Sequence, residues 1–102
     1  MSHKGAFDSA TLRPDGTVEV TGPFTRDPDE PPKPALVAFY LEQDSTKIDG
    51  EGRWLPTESG WTGTAGPGLK PGPAQATALA VIARDDPPGF VTFSWSQQVD
   101  IT

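Results

Sequence analysis

The clearest hydrophobic pattern in the chain lies in its last third, where the run from Phe90 to Ile101 alternates between apolar and polar positions. Val91, Phe93, Trp95, Val99 and Ile101 share one parity, with Gln97 as the only polar interruption, and Thr92, Ser94, Ser96, Gln98 and Asp100 share the other. Successive side chains of a strand point to opposite faces, so the run predicts a strand with one dry and one wet face. Residues 74–83 form a second extended run, and Asp85-Asp86-Pro87-Pro88-Gly89 between the two has the composition of a hairpin connection. In that second run Ala74, Ala76, Ala78, Ala80 and Ile82 oppose the bulkier Thr77, Leu79 and Val81. With Leu79 and Val81 turned to the core, the alanines would form a flat outer face suited to self-association.

Upstream, Phe7, Ala10 and Leu12 lead into Arg13-Pro14-Asp15-Gly16, a strong turn signal because Pro presets φ, Asp bonds forward and Gly accepts positive φ. Val18 and Val20 then alternate with Glu19 and Thr21 on the returning strand. Arg26 to Pro34 is a stiff, proline-rich surface loop. The run from Ala35 to Glu42 is apolar on both parities, which predicts a central strand. Two further extended segments follow, and a Gly/Pro-rich crossover from Ala65 to Pro73 leads to the closing hairpin. Strands are thus expected at 7–12, 17–25, 35–43, 47–55, 60–65, 74–84 and 90–101. Seven short strands at this spacing predict an all-β fold, a two-sheet antiparallel immunoglobulin-like Greek-key sandwich. Residues 1–6 are expected to be a flexible tail and 7–102 a single domain.

Composition agrees with an all-β domain and narrows the function. Twelve prolines and eleven glycines in 102 residues leave little room for helices of ordinary length. A formal net charge of -6 argues against nucleic acid or an anionic membrane surface as partner, since both call for clustered Lys and Arg. The absence of cysteine removes disulfides, thiolate metal sites and a cysteine nucleophile. No apolar run approaches the roughly 20 residues that span a bilayer. The expected location is cytoplasmic, and a mature secreted domain would have the same composition.

Several strings resemble small immunoglobulin-like domains of uncharacterised actinobacterial proteins: residues 10–22 (ATLRPDGTVEVTG), the region of Gly52, Trp54 and Trp61-Thr62, Lys70-Pro71-Gly72-Pro73-Ala74 before Thr77-Ala78, and Ser94-Trp95-Ser96. The resemblance implies a sandwich fold and a secreted setting. Such domains often carry a cysteine pair where this chain has Arg26 and Pro56-Thr57.

Candidate chemistry is sparse. His3 is the only histidine, so no Ser-His-Asp or histidine-metal set can form within one chain. The glycine strings around Gly63 to Gly68 lack the Gly-Lys-Ser/Thr signature of a phosphate cradle and read as turns. Asp44, Asp49 and Glu51 loosely resemble an oxygen-rich calcium loop without its spacing. No metal or cofactor is expected. A second acidic set, Asp27, Asp29, Glu30, Asp85 and Asp86 with Glu58, would gather at one end of a sandwich and could meet a protein partner. A homodimer could form through an outer sheet face carrying Leu36, Ala38, Tyr40 and the alanines. The resulting expectation is a non-enzymatic protein-interaction or accessory module. The alternative is a carbohydrate-binding module that stacks sugars on exposed Trp54 and Trp61.

Overall fold

The computed structural model describes residues 4–25, 33–55, 59–83 and 89–102. These form eight strands: β1 (Lys4–Gly5), β2 (Ser9–Leu12), β3 (Val18–Thr25), β4 (Ala35–Gln43), β5 (Thr46–Trp54), β6 (Gly60–Ala65), β7 (Gly72–Ala83) and β8 (Phe90–Ile101). The seven strands from β2 to β8 close into a barrel in the order β2-β3-β6-β5-β4-β7-β8, and β8 returns to β2. Every neighbouring pair is antiparallel except β2 with β8, which is parallel at Ala10 and Ile101.

The expected two-sheet antiparallel immunoglobulin-like Greek-key sandwich is therefore replaced by a closed, mixed β-barrel. Two features join what would have been separate sheets. Asp44-Ser45 connects β4 to β5 as a two-residue turn, with Asp44 at φ 55, a left-handed conformation that Asp tolerates. That tight turn holds β5 against β4 from Gln43↔Thr46 to Ala35↔Trp54, so β5 cannot depart to a second layer. At the other junction the parallel pair continues in Thr102 N–H to Ala10 O (3.0 Å) and Leu12 N–H to Thr102 O (2.9 Å). Closure gives partners to edges that a sandwich leaves unpaired.

The first strand is interrupted rather than short. Gly5 pairs with Phe24 and Ser9 with Thr21, so four steps on one strand oppose three on β3, which is a β-bulge at residues 6–8. Lys4 and Gly5, expected within a flexible tail, are thus part of the sheet.

Inside and outside alternate along each long strand. In β4, Ala35, Val37, Phe39, Leu41 and Gln43 are buried, while Leu36, Ala38 and Glu42 are exposed. In β7 the inner row is Ala74, Ala76, Ala78, Ala80 and Ile82, so the alanines face the core, and Leu79 and Val81 face outward, the reverse of the sequence-based reading. Volume explains the choice. Seven of the nine aromatic residues form a connected cluster in the interior: Phe24–Trp54, Phe24–Phe93, Phe93–Trp95, Trp95–Trp61, Trp61–Phe39 and Phe7 touching Phe39, Trp61 and Trp95. Ala78 stands between Phe39 and Trp95, and Ala80 between Val37 and Phe93, so small side chains in β7 make room for large ones on both neighbours. Glycines serve the same end on the opposite wall. A methyl group at Gly50 or Gly63 would collide with the Phe39 ring.

Two buried or half-buried glutamines supply hydrogen bonds where the strand ladders stop. Gln43 Nε2 donates to Lys70 O (2.8 Å) and Pro73 O (3.3 Å), and its Oε1 accepts from Lys70 N–H (3.0 Å), which fastens the β6–β7 crossover. Gln97 Oε1 accepts from Phe7 N–H (2.9 Å) and its Nε2 donates to Phe7 O (2.8 Å), which ties the bulge to β8.

Candidate functional site

The outer wall made by β5, β4, β7 and β8 changes character along its length. Toward Glu42, Gln75 and Gln98 it is polar: Thr77 Oγ1 and Ser96 Oγ share a hydrogen bond of 2.8 Å, and Gln75 Nε2 reaches Ser96 Oγ at 3.5 Å. Midway, the Lys47 ammonium sits 4.3 Å from the centroid of the Tyr40 ring and covers one of its faces. Toward the other end the wall becomes apolar. Leu36 lies opposite Val81, and Ala38 opposite Leu79, in adjacent outward pairs. Leu36 is 68% exposed, Leu79 44% and Phe90 51%, the three large hydrophobic residues left on the surface among the described residues.

This patch has relief. A groove of about 480 Å³ is lined by Leu36, Ala38, Val81, Glu51, Gly52 and Arg53. A second of about 410 Å³ runs over Ala38, Tyr40, Gly50, Thr77, Leu79 and Ser94. Both share Ala38 and Glu51. The rim on β5 is charged, with Lys47, Asp49, Glu51 and Arg53 in one outward row beside Glu42, Tyr40, Ala38 and Leu36.

The acidic trio Asp44, Asp49 and Glu51 does not converge. Asp44 is in the β4–β5 turn, where its Oδ2 lies 3.6 Å from Lys70 Nζ, whereas Asp49 and Glu51 stand on the outer wall. Among the described residues no group of His, Cys, Asp and Glu is arranged to hold a metal ion. Asp27, Asp29, Glu30, Asp85 and Asp86, with Glu58 and His3, lie outside the described residues. The strand ends that their segments join are described, and pairing puts them at one end of the barrel: Ala35 with Trp54 and Ile82, Ala83 with Phe90, and Pro23 with Gly60. That is the end occupied by the Leu36 patch.

Trp54 and Trp61 are not surface residues. They are 5% and 1% exposed, and the exposed pair of rings needed for sugar stacking is absent at these positions. Trp54 stacks on Phe24, with centroids 5.1 Å apart and planes 20° off parallel, and Trp61 donates its indole N–H to Ala6 O at 2.9 Å. Both rings belong to the core, where Trp54 packs on Phe24 and Trp61 on Phe7, Phe39 and Trp95. The outer face expected from the alanines is likewise corrected to one built on Leu36, Ala38, Leu79 and Val81. Its signal in the sequence was the presence of apolar residues on both parities of 35–42 and 74–83.

Among the described residues no helix is long and apolar enough to cross a membrane. Comparison of the chain with protein-family models, with curated proteins and with solved structures returns no match.

Proposed function

We propose that the protein is a non-enzymatic interaction module that binds a protein partner through the apolar end of its outer wall. The observation that carries this reading is the outward pairing of Leu36 with Val81 and Ala38 with Leu79, where, among the described residues, Leu36 and Leu79 are two of the three large hydrophobic side chains left exposed, with Phe90 the third. Contiguous exposed apolar residues with a polar rim are the ordinary anatomy of a binding surface. The segments that carry Asp27, Asp29, Glu30, Asp85 and Asp86 join strand ends bordering the patch, and the chain's net charge is -6. The partner surface that fits is apolar at its centre and rimmed by Lys or Arg.

The reading is tested by placing a photo-crosslinking side chain at Leu36, at Leu79 or at the exposed Thr62 on the far wall, in the cells that make the protein. One discrete adduct from Leu36 and Leu79, lost when the other position is changed to Glu, is the expected result. Equal labelling from Thr62 would overturn it.

A further inference from the structure

The apolar end of the outer wall is ordered in two adjacent rows that run across the strands. Register places Glu51, Ala38 and Leu79 in one row and Arg53, Leu36 and Val81 in the next, on β5, β4 and β7 respectively. Two of these columns hold unlike neighbours: an anion beside a cation on β5, and a small side chain beside a large one on β4. Glu51 and Arg53 are both exposed, and among the described residues neither takes part in an ion pair.

A surface ordered in this way is complementary to itself. A two-fold axis lying in the interface, across the strands and between the rows, sets each row of one copy against the other row of its mate. Leu36 then meets Ala38, large against small, and Leu79 meets Val81. Glu51 meets Arg53 twice, once on either side of the axis. We infer that the outer wall binds the outer wall of a second copy in this antiparallel, face-to-face arrangement. The inference rests on the proposed reading of the patch as a binding surface, and it names the occupant. A second copy meets the description given there, since its patch is apolar at the centre and Arg53 and Lys47 stand on its rim.

Charge also selects this axis over the other one that brings two walls face to face. An axis along the strands would lay β5 over β8, where Glu51 and Arg53 meet the uncharged Ser94 and Thr92. It would also bring the strand ends that join the acidic segments of both copies together, which is repulsive in a chain of net charge -6. The axis across the strands sends those ends to opposite sides of the pair. Packed sheet faces keep their strand directions within about 30° of each other, and this arrangement satisfies that geometry.

Sedimentation equilibrium over a wide concentration range tests the inference on the full chain, on Glu51→Arg, on Arg53→Glu and on the two combined, with urea unfolding to show that each variant is folded. The native chain is expected to approach twice 10.8 kDa, and each single reversal to fall toward 10.8 kDa because like charges then face each other. The combined variant should recover the dimer. Glu51→Arg lowers the net negative charge and Arg53→Glu raises it, so loss in both reports the pairing rather than the total charge. A native chain at 10.8 kDa throughout overturns the inference, as does a dimer that both single reversals leave intact. Failure of the underlying reading looks different. It is equal crosslinking from Thr62, whereas a Leu36 adduct whose mass is not twice 10.8 kDa keeps that reading and removes the second copy.

Discussion

Gln97 on β8 serves as the missing strand for Phe7. Its side-chain amide accepts from the Phe7 N–H at 2.9 Å and donates to the Phe7 carbonyl at 2.8 Å, the two bonds that a paired residue would make. The bulge needs this help because it takes Phe7 off the regular ladder with β3 while its ring remains in the core, 5% exposed.

Removing that amide leaves two backbone groups unpaired beside the aromatic cluster. Gln97→Ala is expected to lower unfolding stability by roughly 2 to 4 kcal/mol, since each unsatisfied buried group costs about 1–3 kcal/mol. Gln97→Glu keeps the shape and the acceptor but loses the donor to Phe7 O, and should lose a substantial part of the same stability at neutral pH. Urea unfolding of both variants checks this. Native-like stability in Gln97→Ala would show that the clamp carries no weight.

Gly50 and Gly63 make room for one ring. Gly50→Ala is expected to destabilise by about 1–3 kcal/mol through overpacking against Phe39. The damage should shrink when Phe39→Leu is combined with it, because the two sites share one contact. A double-mutant cycle by thermal unfolding reads this coupling. Simple additivity would place the strain elsewhere.

The β2–β3 turn gives a pH signature. Asp15 Oδ1 accepts from Thr17 Oγ1 at 2.6 Å and from Thr17 N–H at 3.0 Å, and these bonds, the hydroxyl's first, hold its pKa below the ordinary value of 3.8. A depressed carboxyl pKa contributes stability that is fully present above the unfolded value and is lost as pH falls through the lower folded value. The window therefore lies below pH 3.8. An NMR titration should put the Asp15 midpoint below that value, and Thr17→Val should raise it. An unchanged midpoint in Thr17→Val would remove the hydroxyl from the explanation.

Burial of the indoles fixes an optical prediction. Trp54 and Trp61 should resist quenching by iodide, and polysaccharides should leave their emission unchanged. Quenching of Trp54 or Trp61, isolated by replacing the other two tryptophans with Phe, would contradict their place in the core.

Local chemistry made the strands legible. The segments 35–43, 60–65 and 90–101 were expected with these bounds because Pro, Gly and Asp punctuate their ends, and the Arg13 to Gly16 turn closes as its residue types dictate. Barrel closure was not legible. It rests on pairing between the first and last strands and on a tight two-residue turn at Asp44-Ser45, and hydrophobic alternation is silent about which strands become neighbours. The same limit reversed β7: with apolar residues on both parities, only the volume of the aromatic cluster decides that Ala78 faces in and Leu79 out. Gln97 was visible as the single polar break in a dry row, and Gln43 sat on the inner parity of β4. A polar residue at a core position is a sign of a backbone group in need of a partner. The exposed Leu36 patch was partly foreseen, with its β4 half correct and its β7 half inverted.

Amide hydrogen exchange along β2 and β8 tests the central structural claim, a β-barrel closed by the pairing of β2 with β8. The account predicts slow exchange at Phe7, Leu12 and Thr102, whose N–H groups are bonded to Gln97 Oε1, Thr102 O and Ala10 O. Fast exchange at Leu12 and Thr102, as at an unpaired strand edge, would contradict closure.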